Sequence, residues 1–548
     1  MKAERIRAEH RRLLDSLDRP EEVQRKVLSR VLEHNAGSAF GREHGLESVR
    51  TVDDLRHAVP IRTHEELMPW IERALDGERN VLTADDPLVY FSSSGSTGRE
   101  KYIPITRTYM ETTFLPFCHA AFAPLLEVLP GTLADPNVVL NLWQDPTGPI
   151  VRTLKGQPHI GASQVDYRKF GEETAVGPGN GATWSRIPPE LVDANPWDRN
   201  YYKLRLAAEQ DIRLLIGINP AMIAALPYQL RQEWPRLVED IAAGTLAGQP
   251  HTTPNPERAE EIARFAKTFG TVHPHHLWPR MSALLLWDSA LASLYLPRVR
   301  ELYGPGVQLL SAPVASCEGP CAVPVDTRPG APLYLPGCLF EFVPADRPVT
   351  ADSETLLATE IEEGQDYHLV LSHVGGMYRC AVTDVVRVVG REGRTPRVEY
   401  AGRNIVRSAS EEVLTEAAAL RALRAACADT RAEIRNATYH LDAEGADGGA
   451  RYRIAVAFAG PPAPALADAL DRRLSEECDG YGKGRRSGHI LPLDVVTVHE
   501  DAFQHEWERT VRAGQRPPRV KDRVFLPNED AWARIVADKP ETTGFAAG

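Results

Sequence analysis

The stretch that says most about this chain is Phe91-Ser-Ser-Ser-Gly-Ser-Thr-Gly-Arg-Glu-Lys101. The apolar run Pro87 to Phe91 predicts a strand before it, and residues 106–128 predict a helix after it. Glycine lets the backbone approach a ligand closely, and successive backbone N–H groups can then bind phosphate oxygens. Side-chain hydroxyls and one ammonium group add further donors. The candidate phosphate contacts are Ser93, Ser94, Gly95, Ser96, Thr97, Gly98 and Lys101.

Two interpretations of this loop remain on composition alone. A flexible serine- and glycine-rich turn has the same composition as a phosphate loop. The stretch also lacks the G-x-x-x-x-G-K-(S/T) order of a Walker A loop. The order of its residues is what favours phosphate binding.

Size and charge limit the classes of function. The chain has 548 residues and a net charge of −12, which predicts several domains and disfavours nucleic-acid binding and membrane association. Its 7 cysteines are scattered, which is typical of reduced thiols. The charged N-terminus lacks the apolar segment of a signal peptide, so we expect a cytoplasmic protein. The sequence does not indicate an oligomeric state.

Strands alternate with helices between residues 211 and 311, which predicts an α/β fold with a largely parallel sheet. Thr63-His-Glu-Glu66 predicts a capping box at the start of a helix. A strand is expected at 282–287, separate helices are expected at 219–230 and 234–243, and mostly strands follow from 334 to 400. A helix at 411–426 then opens an α+β unit. We therefore predict a large N-terminal domain with mixed and parallel sheets, residues 1–401, and a small mobile C-terminal domain, residues 402–548.

The loop resembles the phosphate loop of the adenylate-forming superfamily, (S/T)-S-G-(S/T)-(S/T)-G-x-P-K, with Glu100 where that pattern usually has proline. Further segments are similar to those of one branch, the acyl acid amido synthetases of plant auxin conjugation and their bacterial relatives. These segments are the stretch from Val59, Trp234 to Leu246, Leu339 to Pro344, and Gly375 to Asp384. Their order along the chain makes a chance match improbable.

The resemblance implies roles for matching positions. The stretch Val314 to Glu318 matches Y-(A/G)-S-(S/T)-E, so Ser316 and Cys317 would lie at the phosphates and Glu318 would bind Mg²⁺. Asp384 would accept hydrogen bonds from the ribose hydroxyls. The other nucleotide-binding positions that the family implies are Tyr378, Arg379 and Arg403. The departures from the family pattern include Cys317, Thr383 and Val413, the last standing where the family has the lysine that follows Glu412.

Gly514 to Lys521 resembles the family's G-x-x-x-x-Q-x-K, whose lysine enters the active site during adenylation. Lys521 would then stabilise the negative charge that builds up between an attacking carboxylate and the α-phosphate. Catalysis of this kind depends on positioning and charge neutralisation. A small domain that rotates about a hinge near Gly402 could serve both half-reactions, the activation of the acid and the transfer of its acyl group.

The implied reaction joins a small carboxylic acid to an amine or amino acid, with ATP and Mg²⁺ as cofactors. Two alternatives remain open: the acyl group passes to coenzyme A, or the protein binds nucleotide without chemistry. The acid is not identified by the sequence. Tyr109, Phe114 and the segment from Asn219 to Leu226 could line its pocket or simply pack in the core. The histidines at 273, 275 and 276 lack the spacing of a metal motif.

Overall fold

The computed structural model describes residues 2–92, 100–145, 150–165, 181–191, 193–404, 406–408, 414–443, 449–526 and 528–540. The predicted phosphate contacts Ser93 to Gly98 therefore lie outside the described residues, as do Glu412 and Val413. In the part of the chain that is described, no helix has both the length and the apolar character needed to cross a membrane.

Helices occur along the whole described chain. They are α1 (Lys2–Ser16), α2 (Pro20–Asn35), α3 (Ala39–Glu43), α4 (Val52–Ala58), α5 (His64–Leu75), α6 (Arg107–Tyr109), α7 (Leu115–Val128), α8 (Pro196–Ala207), α9 (Pro220–Ala243), α10 (Pro256–Phe269), α11 (Pro274–Leu277), α12 (Leu296–Tyr303), α13 (Glu416–Thr430), α14 (Leu466–Glu477), α15 (Asp479–Ser487), α16 (Ala502–Arg512) and α17 (Glu529–Ala537). A π-helical turn, Met110–Phe114, joins α6 to α7.

Strands are short except in the central antiparallel sheet. They are β1 (Val89–Phe91), β2 (Ile103–Ile105), β3 (Val139–Asn141), β4 (Val151–Arg152), β5 (Pro158–Ile160), β6 (Leu214–Ile218), β7 (Thr245–Leu246), β8 (Gln249–Pro250), β9 (Ala283–Leu286), β10 (Gln308–Ser311), β11 (Val314–Ala315), β12 (Pro320–Ala322), β13 (Ala331–Pro332), β14 (Leu339–Pro344), β15 (Leu356–Leu357), β16 (Asp366–His373), β17 (Met377–Glu392), β18 (Thr395–Arg403), β19 (Val406–Arg407), β20 (Leu414–Thr415), β21 (Ile434–Asp442), β22 (Arg451–Phe458) and β23 (Asp494–Val498).

A parallel sheet with the strand order β10-β9-β6-β3 lies inside the large part. Every residue of β9 is buried, as expected for a strand whose two faces are both covered. Leu284 and Leu286 pack into the core around α9, whereas Ala283 and Leu285 pack on the opposite side with Leu125 of α7. The continuous apolar run of β9 follows from this two-sided burial.

The second large sheet is antiparallel, with the strand order β13-β18-β17-β16-β14-β15. Its longest strand, β17, carries Asp384, which faces Arg403 of β18 in the strand register. Two sequence motifs that are 19 positions apart are thus brought side by side by a hairpin. The smaller sheet β2-β1-β5-β4 holds the two strands on either side of residues 93–99.

The C-terminal unit contains the sheet β21-β22-β23, and α13 and α14 pack against it. Helix α16 follows this sheet and packs on both parts: Ala502 and Phe503 belong to a core with β22 and β23, whereas Trp507 and Val511 belong to the core around α9. The Asn195 side-chain amide donates to the Arg512 carbonyl over 2.6 Å, and Arg298 pairs with Asp501. The end of the chain is therefore docked on the large part.

Two expectations about elements are wrong. The predicted helices 219–230 and 234–243 form one helix, α9, which contains Pro227 and Pro235. A proline inside a helix costs about 3 kcal/mol, but buried side chains on both sides of the prolines hold α9 together. The helix predicted at 411–426 begins at Glu416, where Thr415 caps it by accepting a hydrogen bond from the Ala418 amide. The predicted capping box at Thr63 is confirmed.

Candidate active site

A buried ion pair joins Lys101 to Glu318. The Lys101 Nζ donates to the Glu318 Oε1 over 2.6 Å, and the two side chains are 15% and 6% exposed. Burial opposes ionisation of Glu318, but Lys101 more than offsets it, so the pKa of Glu318 is lowered. Burial likewise opposes the charge on Lys101, and Glu318 reverses this and raises the lysine pKa. Both groups therefore stay charged at neutral pH.

Glu318 lies in the turn between β11 and β12, and His373 fixes this turn. The His373 Nδ1 accepts from the Gly375 amide over 3.0 Å, so the proton of the neutral ring is on Nε2. That Nε2 then donates to the Glu318 carbonyl over 2.6 Å. Burial lowers the pKa of His373 to about 4, which keeps the ring neutral. The Ser316 amide also closes the turn by donating to the Gly319 carbonyl over 3.0 Å.

Asp384 interacts electrostatically with the other charged groups of the site. Burial raises the pKa of its carboxyl group, and the Glu318 carboxylate contributes in the same direction. The positive charges that oppose this shift are those of Arg403, Lys521 and Lys101. Charges act on one another this strongly only at short range inside a protein. Asp384, Glu318 and the three cations therefore form one electrostatic cluster.

Lys521 lies in an extended segment after α16. The Val520 carbonyl accepts from the Asn219 side-chain amide over 2.8 Å, and the Lys521 Nζ lies 4.5 Å from the centre of the Trp287 ring. Lys521 as a residue is exposed to solvent. Partial desolvation of its ammonium group lowers the pKa of Lys521, and the Arg403 guanidinium contributes in the same direction, whereas Asp384 opposes it. Lys521 is thus a cation whose positive charge is only partly compensated.

The next residues fix the segment on the C-terminal unit. The Tyr439 amide donates to the Val524 carbonyl over 2.6 Å, and the Thr438 hydroxyl donates to the Arg523 carbonyl over 2.8 Å. Lys521 consequently lies between an anchor at the N-terminus of α9 and an isolated β-bridge that joins Phe525 to Tyr439 of β21. This explains why a residue so late in the chain reaches the cluster.

The structure brings together Lys101, Ser316, Cys317, Glu318, Asp384, Arg403 and Lys521, all expected at the site. Cys317 is half-buried and packs against the N-terminal core, in the same turn as Glu318. The expected positions Ser93, Ser94, Gly95, Ser96, Thr97 and Gly98 lie outside the described residues.

Tyr378 and Arg379 were expected to line the nucleotide site, and the structure places them in the core instead. Tyr378 is fully buried, stacks on Phe40 at 4.4 Å and donates its hydroxyl to the Leu82 carbonyl. The Arg379 guanidinium binds both carboxylate oxygens of Glu341, over 3.0 and 3.1 Å. Its remaining nitrogen donates to the Val59 carbonyl over 2.9 Å. These polar groups are engaged by the protein itself.

Sequence reasoning missed His373 and Trp287 and did not assign Asn219 its contact with Val520. Asn219 follows β6 and Trp287 follows β9, so both stand beyond the carboxyl ends of neighbouring parallel strands. Ligands of open α/β sheets bind at that edge, which is a signal that could have found both. No pattern in the sequence distinguishes His373.

Comparison with known proteins identifies the family of this chain. Residues 9–309 match the GH3 family N-terminal domain, and residues 332–403 match the GH3 family central domain. The chain belongs to the GH3 family. The resemblance to the acyl acid amido synthetases is therefore confirmed.

Curated GH3 relatives span nearly the whole chain. A probable indole-3-acetic acid-amido synthetase, GH3.12 of Oryza sativa subsp. japonica, is 25% identical and covers 94% of this chain and 93% of its own length. The jasmonoyl-L-amino acid synthetase JAR6 of Nicotiana attenuata is 24% identical over the same shares. Relatives of this GH3 chain are thus amide-forming ligases.

A solved GH3 structure has the same fold. AtGH3.15 acyl acid amido synthetase in complex with 2,4-DB aligns with a TM-score of 0.79 at 20% identity, covering 96% of this chain and 95% of that chain. The predicted α/β class with mixed and parallel sheets is confirmed.

Proposed function

We propose that this GH3 protein activates a small carboxylic acid with ATP and Mg²⁺ as an acyl-AMP and then transfers the acyl group to an amine or amino acid. The observation that carries the proposal is the convergence of Lys521, from the end of the chain, with Asp384, Glu318 and Lys101. The names of the GH3 relatives, acid-amido and amino acid synthetases, support the same reaction.

In the first half-reaction a carboxylate oxygen attacks the α-phosphorus of ATP, and the bond from that phosphorus to the pyrophosphate oxygen breaks. The developing negative charge needs a cation that is already in place. Lys521 supplies it, because its charge is only partly compensated in the free protein. Asp384 accepts hydrogen bonds from the ribose hydroxyls, and Lys101 attracts the phosphates. Arg403 adds positive charge beside Asp384.

Glu318 has the chemistry of a Mg²⁺ ligand. Its carboxylate is ionised, and Mg²⁺ usually binds one or two carboxylates together with substrate phosphates. Lys101 donates its hydrogen bond to Oε1 of Glu318, which leaves Oε2 as a possible ligand for the metal ion. Bound Mg²⁺ would neutralise phosphate charge. Glu318 would hold it, and Ser316 and Cys317 of the same turn would lie beside the phosphates.

In the second half-reaction the amine nitrogen attacks the acyl carbon, the bond from that carbon to the AMP oxygen breaks, and the nitrogen releases a proton. We assign residues 1–401 to adenylation and residues 402–548 to a small domain that delivers Lys521. Rotation of that domain as one body would have to break the contacts of Asn195 with Arg512 and of Arg298 with Asp501. Crystals with ATP, and with acyl-AMP plus amine, test the rotation: an unchanged orientation contradicts it.

The acid pocket remains a proposal. Tyr109 is buried and lies 4.5 Å, between ring centres, from His373, the residue that holds the Glu318 turn. Phe114 is half-buried and lies 5.6 Å from Phe91 of β1. Aromatic side chains at this position favour an aryl or alkyl acid.

A cytoplasmic location is part of the proposal. The 7 cysteines, all in the described part of the chain, form no disulfide with one another. Cysteines of this kind are typical of a reducing compartment.

An oxygen-18 experiment tests the reaction. A panel of aryl and alkyl acids labelled in the carboxylate is incubated with ATP and Mg²⁺, in parallel with a mixture of amino acids and with coenzyme A, and the products are analysed by mass spectrometry. We expect an amide and AMP that carries one labelled oxygen from the acid. Unlabelled AMP contradicts an acyl-AMP intermediate. A thioester formed only with coenzyme A contradicts the amide assignment, and ATP binding without turnover favours a nucleotide-binding protein.

A further inference from the structure

Arg519 connects the end of the chain to the two residues that flank the predicted phosphate loop. One of its terminal nitrogens lies 3.1 Å from the Glu100 Oε1, and the other donates to the Ser92 hydroxyl. Ser92 follows β1, and Glu100 precedes Lys101. Arg519 thus contacts a residue 419 positions earlier in the chain. Arg519 itself lies two residues before Lys521.

Both partners are departures from the sequence patterns of the family. Glu100 stands where the loop pattern usually has proline, and Arg519 stands at the glutamine of G-x-x-x-x-Q-x-K. Proline has no side-chain acceptor and glutamine has no charge, so the usual pair of residues could not form this ion pair. The two departures therefore complement each other.

The segment is stiff on the side of Arg519. Pro517 and Pro518 begin a 3₁₀ turn, Pro517–Arg519, and proline restricts its own φ angle. The next two residues make their own contacts: the Val520 carbonyl with Asn219, and the Lys521 ammonium with the Trp287 ring. A fixed Arg519 therefore limits where Lys521 can lie.

Neighbouring charges make the pairing of Arg519 sensitive to its acid. Burial lowers the pKa of Arg516 to about 10, and Arg519 contributes to the shift as a like charge. The side chain of Arg519 is 23% exposed and that of Glu100 is 51% exposed. Without Glu100, less negative charge would offset the repulsion between Arg516 and Arg519. Glu100 also lies 3.8 Å from the His159 ring nitrogen Nδ1.

We propose that Arg519 and Glu100 form a latch that positions Lys521 for acid activation, and that Arg519 is a positioning residue in this chain. The proposal rests on the proposed adenylation reaction. The latch acts on the first half-reaction, because only that step needs the ammonium of Lys521 beside the α-phosphate.

Charge reversal tests the latch. We compare Glu100→Arg, Arg519→Glu and the double variant in acid-dependent pyrophosphate release. Each single reversal should lower kcat about tenfold, because attraction becomes repulsion, while the KM for the acid changes little. The double variant, which restores an ion pair, should recover to within about threefold of the wild type. Singles as active as the wild type, or a double variant no better than the singles, would overturn the latch.

A matched control keeps the comparison specific. Arg472 pairs with Asp429 over 2.8 Å entirely within the C-terminal unit, so Arg472→Glu should leave pyrophosphate release unchanged. Arg519→Gln restores the residue of the family pattern and serves if a reversal does not fold. Its pyrophosphate release should fall about threefold and lose part of the salt dependence seen in the wild type. Equal rates and equal salt dependence would count against the proposal.

Hydrogen exchange separates failure of the latch from failure of the proposed function. The amides of Gln515, Arg516, Arg519, Val520 and Lys521 should exchange faster in either single reversal and return to the wild-type rate in the double variant. This measurement needs no turnover. Wild-type protein that releases no pyrophosphate with any acid contradicts the proposed function, and unchanged exchange in the single variants contradicts the latch.

Discussion

Lys101 and Lys521 reach the same cluster of charges from two different parts of the molecule, and they are held in different ways. Lys101 is bonded to the buried carboxylate of Glu318 over 2.6 Å, and its pKa is raised. Lys521 has a lowered pKa and lies 4.5 Å from the face of Trp287. The salt bridges among the described residues do not include one to Lys521.

The difference indicates that Lys101 and Lys521 have different roles. The charge of Lys101 is compensated by Glu318 in the free protein, so we propose that Lys101 mainly organises the site and attracts phosphates. The charge of Lys521 is only partly compensated, so in the proposed reaction it would gain most when negative charge appears in the transition state. The first lysine is held by a buried ion pair within the large part, whereas the second lies on the extended segment after α16.

The largest expected effect is on stability. Lys101→Met leaves the Glu318 carboxylate buried without its cation, and we expect the free energy of unfolding to fall by about 3 kcal/mol. Lys521→Met should change it by less than about 0.5 kcal/mol. Urea unfolding of both variants at pH 7 provides the measurement. Equal losses would show that the two lysines are held alike.

Glu318→Gln tests the acid of the pair. The amide keeps the shape but removes the ionised ligand, so acid-dependent pyrophosphate release should fall about a hundredfold, and more Mg²⁺ should be needed. Glu111→Gln is the control, since Glu111 is an exposed acid that pairs with Arg107 over 3.3 Å on the surface. An unchanged Mg²⁺ requirement in Glu318→Gln would remove Glu318 from the metal site.

Tyr378→Phe tests whether Tyr378 serves the core or the nucleotide site. Loss of the hydrogen bond to Leu82 should lower the free energy of unfolding by about 1 kcal/mol and leave the KM for ATP unchanged. Asp384→Asn should instead raise the KM for ATP and change the free energy of unfolding little, because its carboxylate belongs to the charged cluster. A raised KM for ATP in Tyr378→Phe would return Tyr378 to the nucleotide site.

The smallest effect is a displacement of the pH profile of kcat/KM for ATP, which reports the free enzyme. A raised pKa of Asp384 means that the carboxyl gains its proton, and activity falls, at a higher pH than for an ordinary aspartate. A lowered pKa of Lys521 means that charge and activity are lost at a lower pH than for an ordinary lysine. Lys521→Arg should move the alkaline limb of the profile to higher pH, since arginine stays charged. An unmoved limb would assign it to another group.

Local patterns in the sequence predicted much of the fold. The apolar run of β9 and the capping box at Thr63 depend on neighbours in the chain, and both occur where expected. Helix α9 was predicted as two helices because proline is a local signal against a helix, whereas the packing that tolerates Pro227 and Pro235 is tertiary.

The site shows the same limit. Asp384 and Tyr378 belong to one motif, yet only Asp384 faces the cluster. Tyr378 is buried by its contacts with Phe40 and Leu82, which come from distant parts of the chain. Arg379 is likewise engaged by Glu341 of another strand. Which residues of a motif face a ligand depends on such long-range partners, which no local pattern encodes.

The most direct test of the central claim compares wild-type protein with Lys521→Ala in acid-dependent pyrophosphate release from ATP and Mg²⁺, across a panel of aryl and alkyl acids. The account predicts release with some of the acids and a fall of at least about a hundredfold in the variant, with unfolding unchanged. Release that is equal in both proteins would contradict the role of the delivered lysine.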